Sequence, residues 1–494
     1  MTIAIDAAAL ALPAALNRRS LAERTGGAIA TAPVRIVHMG LGAFHRAHQA
    51  WYTAMADDAA EWGIASFTGR SATVAEQLAP QDGLYTLVER SDAGDRVETV
   101  TSVVEAVDGA RLDRFVELVS APSTAIVTLT ITEPGYRLTS DGLPDGTDAA
   151  VVADIAWLSA ALSAPGTSID APAAASADVA DGRDSDTGPT TSLGRLLYGL
   201  DARRRRQAGP LALVPCDNIP DNGEFVRTGL LALARAVSAE TAAWIETNVS
   251  FVSTSVDRIT PRTTADDVLR ATELSGWIDR APVVTEPFRD WVLSGAFPGG
   301  RPAWETAGAR FVDDIEPFER RKLWLLNGAH SLLAYAGPLR GYETVAQAIG
   351  DPQLRAWVNE LWDEAAHHLP AEELDLDSYR QALLDRFDNA RIEHRLAQIG
   401  MEGVTKLRVR IAAIARSERA AGRDAAACAR ALGAWVARLT AGEDLPDAQS
   451  ALVQAARAGD AAGASARLVA LLDGTLAADA AFVAAVDAAA ASFR

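Results

Sequence analysis

The segment ERRKLWLLNGAH at 319–330 places four side chains that could perform chemistry on one predicted helix: Glu319, Lys322, Asn327 and His330. At about 100° per residue, these side chains fall within an arc of about 140°. A lysine can act as an acid or base, an asparagine can donate hydrogen bonds to an oxyanion, a histidine can orient a hydroxyl and a glutamate can relay protons. The alternative is a solvated first helical turn followed by an ordinary Asn-Gly turn.

Such a helix must be positioned by the rest of the fold. Strands and helices alternate over the first 300 residues, and this alternation predicts an open α/β sheet. Short β-branched or apolar runs predict buried strands at 34–40, 61–70, 124–132, 210–218 and 249–257. A helix is predicted over 43–58, and a β-pair or extended excursion is predicted at 85–90 and 97–107.

Gly40 and Gly42 directly follow the first strong strand and precede the helix predicted at 43–58. A strand, a Gly-x-Gly turn and a helix N-terminus form the cradle that binds a dinucleotide pyrophosphate. The third position of the usual glycine fingerprint is His45, and a tight turn without a ligand is the alternative. The second strand has no acidic residue at its tip to bind a ribose hydroxyl, and Arg70 lies nearby, so NADP use stays open beside NAD.

Polar side chains follow three further strands. They are Thr130, Thr132, Glu133 and Tyr136 after the first, Asp217 and Asn218 after the second, and Asp257 and Arg258 after the third. Ligands of open α/β sheets bind beyond the carboxyl ends of the strands, where these groups are expected. Simple capping of the next helix or turn is the alternative for any one of them.

From about residue 304 the strand patterns fade and helical patterns dominate. We therefore predict a Rossmann-like dinucleotide-binding domain over 1–303 and a mainly helical substrate and catalytic domain over 304–494. The stretch 163–192 has no apolar period and is predicted to be a disordered surface insertion. The four arginines at 203–206 are expected on an exposed helix face.

Composition limits the partners. The 494 residues carry a net charge of −19, which argues against a nucleic-acid partner. Cys216 and Cys428 are the only cysteines, and two distant thiols make neither a disulfide framework nor a paired-cysteine metal site, so a cytoplasmic location is expected. The apolar N-terminus lacks a basic segment and is interpreted as a short strand or helix rather than a signal peptide, and the sequence has no run long enough for a membrane span.

Several motifs, in this order, resemble the polyol-specific long-chain dehydrogenases, a family that includes mannitol 2-dehydrogenases and fructuronate reductases. The motifs are IVHMGLGAFHRAHQAWYT, TLTITEPGY, CDNIPDNG, VDRITP, EPFRDWV, GRPAWE and KLWLLNGAHSLLAYAG. The resemblance extends from about residue 34 into the 400s. It implies a zinc-independent enzyme, with no metal ligands, that acts as a monomer or small oligomer on a small sugar substrate.

The resemblance also implies roles for individual residues. Lys322 is the general acid/base, Asn218 and Asn327 form the oxyanion hole, His330 positions the substrate hydroxyl, and Glu319 relays protons. Asp257 lies beside the substrate. The residues assigned to the dinucleotide are Val37, His38, Met39, Gly40, Leu41, Gly42, Ala43, Phe44, His45, Arg46, Thr132 and Glu133.

The segment LLDRFDNARIEHRLAQIGMEGVTKLRVRI resembles the fructuronate reductase branch most closely. Arg395, Lys406 and Arg410 are its candidate partners for a uronate carboxylate, and ordinary surface cations are the alternative. Glu402, with Val404 and Thr405 after it, departs from the branch pattern. This resemblance implies interconversion of D-mannonate and D-fructuronate. A mannitol/fructose or other polyol enzyme is the second interpretation, and a non-catalytic dinucleotide-binding protein is the third.

Overall fold

The computed structural model describes residues 13–163, 188–458 and 463–493. The chain divides into two compact units. Unit 1 comprises Met1–Arg90 and Asp95–Ile315, and unit 2 comprises Ser91–Gly94 and Glu316–Arg494. Most of the insertion predicted at 163–192, and most of the N-terminal stretch, lie outside the described residues.

The strands all belong to the first 315 residues of the described chain. They are β1 (Ala14–Ala15), β2 (Val34–Met39), β3 (Gly63–Phe67), β4 (Tyr85–Ser91), β5 (Gly94–Val100), β6 (Val103–Val107), β7 (Ile126–Leu129), β8 (Leu211–Pro215), β9 (Val249–Phe251), β10 (Ser253–Asp257), β11 (Trp277–Ile278), β12 (Val283–Thr285), β13 (Asp290–Ser294) and β14 (Arg310–Phe311).

A six-stranded sheet in the order β6-β3-β2-β7-β8-β9 organises unit 1, and its paired strands run parallel. Successive residues of β2 pack into different apolar clusters, since Ile36 joins the cluster on one face and Val37 joins the cluster on the other. Parallel strands are covered on both faces, which explains why they are continuous apolar runs. The predicted α/β class with a Rossmann-like sheet is confirmed.

Unit 1 also contains the first ten α-helices of the described residues. They are α1 (Arg18–Thr25), α2 (Ala43–Ala47), α3 (Gln49–Met55), α4 (Thr73–Leu78), α5 (Leu112–Val119), α6 (Ala149–Ser163), α7 (Ser192–Arg205), α8 (Asn222–Val237), α9 (Ala239–Asn248) and α10 (Ala265–Ser275). Short 3-10 turns occupy Ala59–Glu61, Ala79–Gln81, Glu133–Tyr136 and Trp304–Ala307.

Three predicted elements of unit 1 are divided in the structure. The helix expected over 43–58 breaks at His48, whose backbone (φ −117°, ψ −92°) is not helical. The segment 97–107 contributes to two sheets, because β5 belongs with β4 and β12 while β6 forms the edge of the main sheet. The strand predicted at 249–257 divides in the same way: β9 ends the main sheet, and β10 pairs antiparallel with β13.

The expectation that the arginines at 203–206 lie on an exposed face is wrong for Arg203, which is 1% exposed. Its guanidinium donates to five backbone carbonyls, those of Val119, Ala121, Ala208, Gly209 and Pro210. These carbonyls lie just before β7 and β8. A buried cation needs such compensation, and here the arginine ties together the entries to the two strands.

Unit 2 is helical, as predicted for the C-terminal part. Its α-helices are α11 (Glu316–Arg321), α12 (Asn327–Leu339), α13 (Val345–Ile349), α14 (Pro352–Ala366), α15 (Ala371–Leu374), α16 (Leu376–Asp388), α17 (Leu396–Ile399), α18 (Gly403–Leu407), α19 (Ala413–Ala420), α20 (Ala426–Thr440), α21 (Ser450–Arg457), α22 (Ala464–Leu472), α23 (Gly474–Ala478) and α24 (Ala480–Ser492).

Two π-helical turns interrupt these α-helices, at Lys322–Leu326 and at Arg408–Ala412, and they pack against each other. The segment 319–330 is therefore not the uniform α-helix that the sequence predicts. A search of the described residues finds no helix with the length and apolar character needed to cross a membrane.

Candidate active site

The glycine turn after β2 approaches β7 closely. Gly40 has φ +112°, and a Cβ at this position would lie 2.1 Å from the Thr130 carbonyl oxygen. No side chain fits there, so the fold itself requires this glycine. Gly42 differs, since a Cβ would meet only the Gly40 carbonyl oxygen, at 3.5 Å, which is an ordinary contact. The protein leaves room at Gly42 for another molecule to approach the backbone.

A buried hydrogen-bond chain fixes the glycine turn. The Thr130 hydroxyl donates to the Gly40 carbonyl at 2.9 Å, so it accepts from Nε2 of His38 at 3.0 Å. Nδ1 of His38 then accepts from the Thr128 hydroxyl at 2.7 Å. Burial lowers the pKa of His38 to about 3, which keeps the imidazole neutral and suits this arrangement.

The first turn of α2 presents backbone donors. Within the described ranges, the amides of Gly42, Ala43 and Phe44 have no hydrogen-bond acceptor, because the helix begins there. Such amides after a parallel strand are the groups that hold a dinucleotide pyrophosphate. The open space at Gly42 and these free donors fit the dinucleotide that the sequence predicts.

Unlike the backbone amides, the side chains next to this turn are buried. Val37, His38 and His45 are fully buried, and Arg46 is 5% exposed. His45 stacks on His38 with ring centroids 3.3 Å apart and hydrogen-bonds the Ser66 hydroxyl through Nε2. His45, which replaces the third fingerprint glycine, thus packs beneath the turn. These four residues support the backbone of the turn, and their side chains are not placed to contact a ligand.

One carboxylate organises the loop after β7. Asp217 accepts hydrogen bonds from the amides of Ile131 and Thr132 and from the Tyr136 hydroxyl, at 3.2, 2.7 and 2.6 Å. These contacts hold Thr132 at φ +68°, a conformation that is unusual for a threonine. Burial raises the pKa of Asp217, while its three donors oppose that shift. Thr132 and Glu133 remain exposed beside this framework.

Asn218 is exposed directly after this buried aspartate. The turn that carries Asn218 is fastened by Asn222, whose side-chain amide donates to the carbonyls of Asp217 and Thr254 at 2.9 and 2.8 Å. Asn222 also accepts from the Thr254 amide at 2.8 Å, which joins the end of β8 to β10. Sequence reasoning missed Asn222, and only its position four residues after Asn218 in the CDNIPDNG motif marked it.

Asp257 ends β10, where it faces Asp290 across the antiparallel pair. Directly opposed like charges destabilise a sheet unless other groups compensate them. Arg310 donates to Asp290 at 2.8 Å and supplies that compensation. Arg258, the next residue, is buried and donates to the Ala47 carbonyl at 2.6 Å, so it anchors the strand end from beneath.

In unit 2, the π turn places Lys322 and Asn327 on the same face of the helix. The Asn327 amide donates to the Lys322 carbonyl, which closes one turn over five residues. If the π turn is counted as one inserted residue, Glu319, Lys322, Asn327 and His330 share an arc of about 80° instead of about 140°. Lys322 and Asn327 are both partly buried. Single π turns often occur at functional sites.

His330 lies deep in unit 2, with 7% of its surface exposed. Its ring packs on Phe387 and, edge to face, on His394, with centroid distances of 5.0 and 4.8 Å. Its Nε2 is buried and has no hydrogen-bond partner among the described residues. Buried nitrogens are rarely left without partners, so this atom is available to a substrate hydroxyl.

Cations surround His330. Burial holds the pKa of its imidazole well below the usual value, and the nearby charges of His394, Arg386, Arg410 and Lys406 lower it further. Arg410 donates to the Ser331 hydroxyl at 3.3 Å, and Lys406 donates to the Ile399 carbonyl at 3.0 Å. Neither forms an ion pair with any residue in the described part of the chain. The three cations of this group, Arg386, Lys406 and Arg410, are called the cationic cluster below.

Arg395, unlike Lys406 and Arg410, is exposed and ion-paired. Its side chain is 62% exposed and pairs with Glu393 at 2.6 Å. The backbone is extended at Arg395, so adjacent side chains point in different directions, and His394 rather than Arg395 packs on His330. Arg386 was missed in the sequence, although it lies within the segment LLDRFDNARIEHRLAQIG that resembles the fructuronate reductase branch.

Comparison with known proteins identifies the class. A model of the mannitol dehydrogenase Rossmann domain matches residues 34–306, and a model of the mannitol dehydrogenase C-terminal domain matches 314–492. The chain belongs to the mannitol dehydrogenase family. It is a polyol or sugar-acid dehydrogenase that acts on a CH–OH group, and the predicted resemblance is confirmed.

Individual relatives span much of the chain. D-mannonate oxidoreductase of Escherichia coli is 36% identical over 388 residues, which are 76% of this chain and 74% of that protein. Mannitol 2-dehydrogenase of Cereibacter sphaeroides is 34% identical over 74% of this chain and 73% of its own. The solved Pseudomonas fluorescens mannitol 2-dehydrogenase, in ternary complex with NAD and D-mannitol, is 32% identical with a TM-score of 0.73, covering 98% of this chain and 95% of that one.

The described residues contain no group of three or more histidine, cysteine, aspartate or glutamate side chains arranged to hold a metal ion. Cys216 and Cys428 are both buried, and burial raises the pKa of each thiol. Neither thiol therefore has the exposed, easily ionised character of a nucleophile.

Proposed function

We propose that this protein is an NAD-dependent oxidoreductase that interconverts a secondary alcohol and a ketone of a sugar acid, with D-mannonate and D-fructuronate as the substrate pair. The observation that carries the acidic substrate is the cationic cluster around His330. Lys406 and Arg410 are partly buried cations without an ion-pair partner among the described residues. Buried charges are costly unless they are paired, so a substrate carboxylate supplies the negative partner that Lys406 and Arg410 do not find among the described residues.

The arrangement of unit 2 supports a proton-transfer role for Lys322. In the oxidative direction Lys322 removes the hydroxyl proton, and in the reductive direction it returns a proton to the carbonyl oxygen. The side-chain amide of Asn327 donates to the developing alkoxide, a contribution of about 3 kcal/mol per donor in comparable sites. The second donor is Asn218, as the family resemblance implies.

His330 completes this set as a neutral group. Since its pKa lies well below the usual value, it stays uncharged at neutral pH and orients a substrate hydroxyl through the unpartnered Nε2. We assign the dinucleotide to the turn at Gly40–Gly42 and the first amides of α2. When bound, the nicotinamide supplies the hydride acceptor or donor.

Mannitol and fructose are the second candidate pair. The relative of known structure was solved with D-mannitol, and it matches 98% of this chain. Glu402 also carries a negative charge that acts on Lys406, which reduces the positive charge offered to a carboxylate. An uncharged polyol would need the cationic cluster only for hydrogen bonds.

A substrate panel separates these functions. Oxidation of NADH is followed by near-ultraviolet absorbance with fructuronate, tagaturonate and fructose at equal concentrations, and each assay is repeated with NADPH. We expect the highest kcat/KM with fructuronate. A clear preference for fructose would favour mannitol and fructose as the substrate pair over D-mannonate and D-fructuronate. Turnover of none of the three would favour a non-catalytic dinucleotide-binding protein.

Lys322→Ala tests the assigned base. The variant should lose most turnover, about a hundredfold or more, because Lys322 is the group assigned to exchange the proton directly with the substrate oxygen. NADH affinity, measured by fluorescence titration, should be unchanged, since the dinucleotide is assigned to residues of unit 1. Near-wild-type turnover of this variant would remove Lys322 from the mechanism.

A further inference from the structure

The π turn at Lys322–Leu326 is fastened by a side chain from another helix. Trp362, on α14, is completely buried, and its indole N–H donates to the Leu325 carbonyl at 2.8 Å. Leu325 lies inside the turn, between Lys322 and Asn327. A π turn is a rare interruption of an α-helix, and it persists where surrounding contacts favour it. The indole supplies such a contact at the carbonyl of the turn itself.

The same indole also supports the other side of the candidate site. Its ring lies against Phe387, with centroids 6.4 Å apart, and Phe387 packs on His330 at 5.0 Å. Trp362 therefore touches the turn that aligns Lys322 with Asn327 and the ring that backs His330. A shift of this one residue would move both groups.

We propose that Trp362 is a positioning residue: it holds the π turn through the Leu325 carbonyl and thereby keeps Lys322 and Asn327 on one face of the helix. This role rests on the proposed function of Lys322 and Asn327. Trp362 itself is assigned no contact with substrate, and it acts only through the backbone and through Phe387.

Trp362→Phe removes the indole donor and keeps an aromatic ring against Phe387. We expect kcat with fructuronate and NADH to fall about ten- to hundredfold, the usual effect of misplacing a reacting group by about 1 Å. The KM for fructuronate should change little, because the binding cations do not move. With NADH deuterated at the transferred position, the isotope effect on kcat should rise, since hydride transfer becomes slower relative to product release.

Trp357→Phe is the matched control. Trp357 lies on the same helix, and its ring packs on Phe493 and near Arg430 rather than on the π turn. The control should retain wild-type kcat and isotope effect. If Trp362→Phe behaves like this control, the positioning role is overturned.

A measurement without turnover tests the contact directly. Amide hydrogen exchange across 322–330 should be faster in Trp362→Phe than in Trp357→Phe, and equal exchange would overturn the proposal. If Trp362→Phe does not fold, benzothienylalanine at position 362 keeps the indole shape and removes only the donor. Should the wild-type protein reduce no keto-sugar, the proposed function fails, while the exchange comparison still decides whether Trp362 holds the turn.

Discussion

Replacing Arg410 with methionine removes one charge from the cationic cluster and keeps much of the side-chain length. Burial lowers the pKa of Arg410 to about 10, so the wild-type group is still charged at pH 7. Among the described residues its one hydrogen-bond partner is the Ser331 hydroxyl, so the substitution leaves no carboxylate of the protein unpaired. The expected loss is therefore confined to the bound substrate.

The size of this loss follows from the surroundings of Arg410. A hydrogen bond to a charged group contributes about 1.5–3 kcal/mol, and truncation of a fully buried charge pair costs about 2–5 kcal/mol. Arg410 is only partly buried, and Lys406 and Arg386 remain nearby. We therefore expect about 2 kcal/mol, which is about a 30-fold fall in kcat/KM for fructuronate. Fructose has no carboxylate, so its kcat/KM should change much less.

The assay is steady-state NADH oxidation with both ketoses for wild type, Arg410→Met and Arg408→Met. Arg408 lies on the same π turn, but it is exposed and donates to the Leu471 carbonyl. Its substitution should change either rate by about twofold at most. Arg395→Met, measured in parallel, should resemble this control, since Arg395 is exposed and paired with Glu393.

Equal losses with fructuronate and fructose after Arg410→Met would refute this reasoning, because the effect would then be on folding or on catalysis in general. A selective loss of kcat/KM for fructuronate in Arg395→Met, with Arg410→Met unaffected, would mean that the substrate carboxylate binds Arg395 and not the cationic cluster.

Three further predictions concern unit 1. Gly42→Ala should fold normally but raise the Kd for NADH about tenfold by blocking approach to the turn; unchanged affinity in a calorimetric titration would contradict the dinucleotide assignment. Gly69→Asp should increase the preference for NADH over NADPH, measured as a ratio of kcat/KM, by adding a carboxylate for the ribose hydroxyl beside Arg70. The buried His38, with a pKa of about 3, destabilises the fold as the pH falls below about 6.5, because the unfolded chain binds the proton more readily. In His38→Gln, urea unfolding should therefore depend less steeply on pH between 6.5 and 4.5, and an unaltered slope would be evidence against a neutral His38.

The strands of the main sheet were predictable because a parallel sheet buries both faces. The apolar runs at Val34–Met39, Ile126–Leu129 and Leu211–Pro215 need no alternation, and the structure confirms all three as strands. The division of 97–107 into β5 and β6 was not predictable, because both halves have the same composition and only tertiary pairing separates them.

The π turn also lay beyond sequence reasoning. The run Leu323–Leu326 is apolar at every position, so it shows no break in helical phase, and counting at 3.6 residues per turn overestimated the spread of the four polar groups. Whether His394 or Arg395 packs on His330 depends on the extended backbone at Arg395, because an extended backbone sends neighbouring side chains to opposite sides. Patterns in sequence identify these residues, but they do not state which one faces inward.

The π turn changes what a difference in chain length means for this helix. Removing one residue from Leu323–Leu326 would turn the π turn into α-helix without rotating either flank, and Lys322 would then stand four residues before the asparagine, still on the same face. In a uniform α-helix the same deletion would rotate everything beyond it by about 100°. The loss of one residue from this stretch therefore preserves the relative direction of the polar groups on both sides.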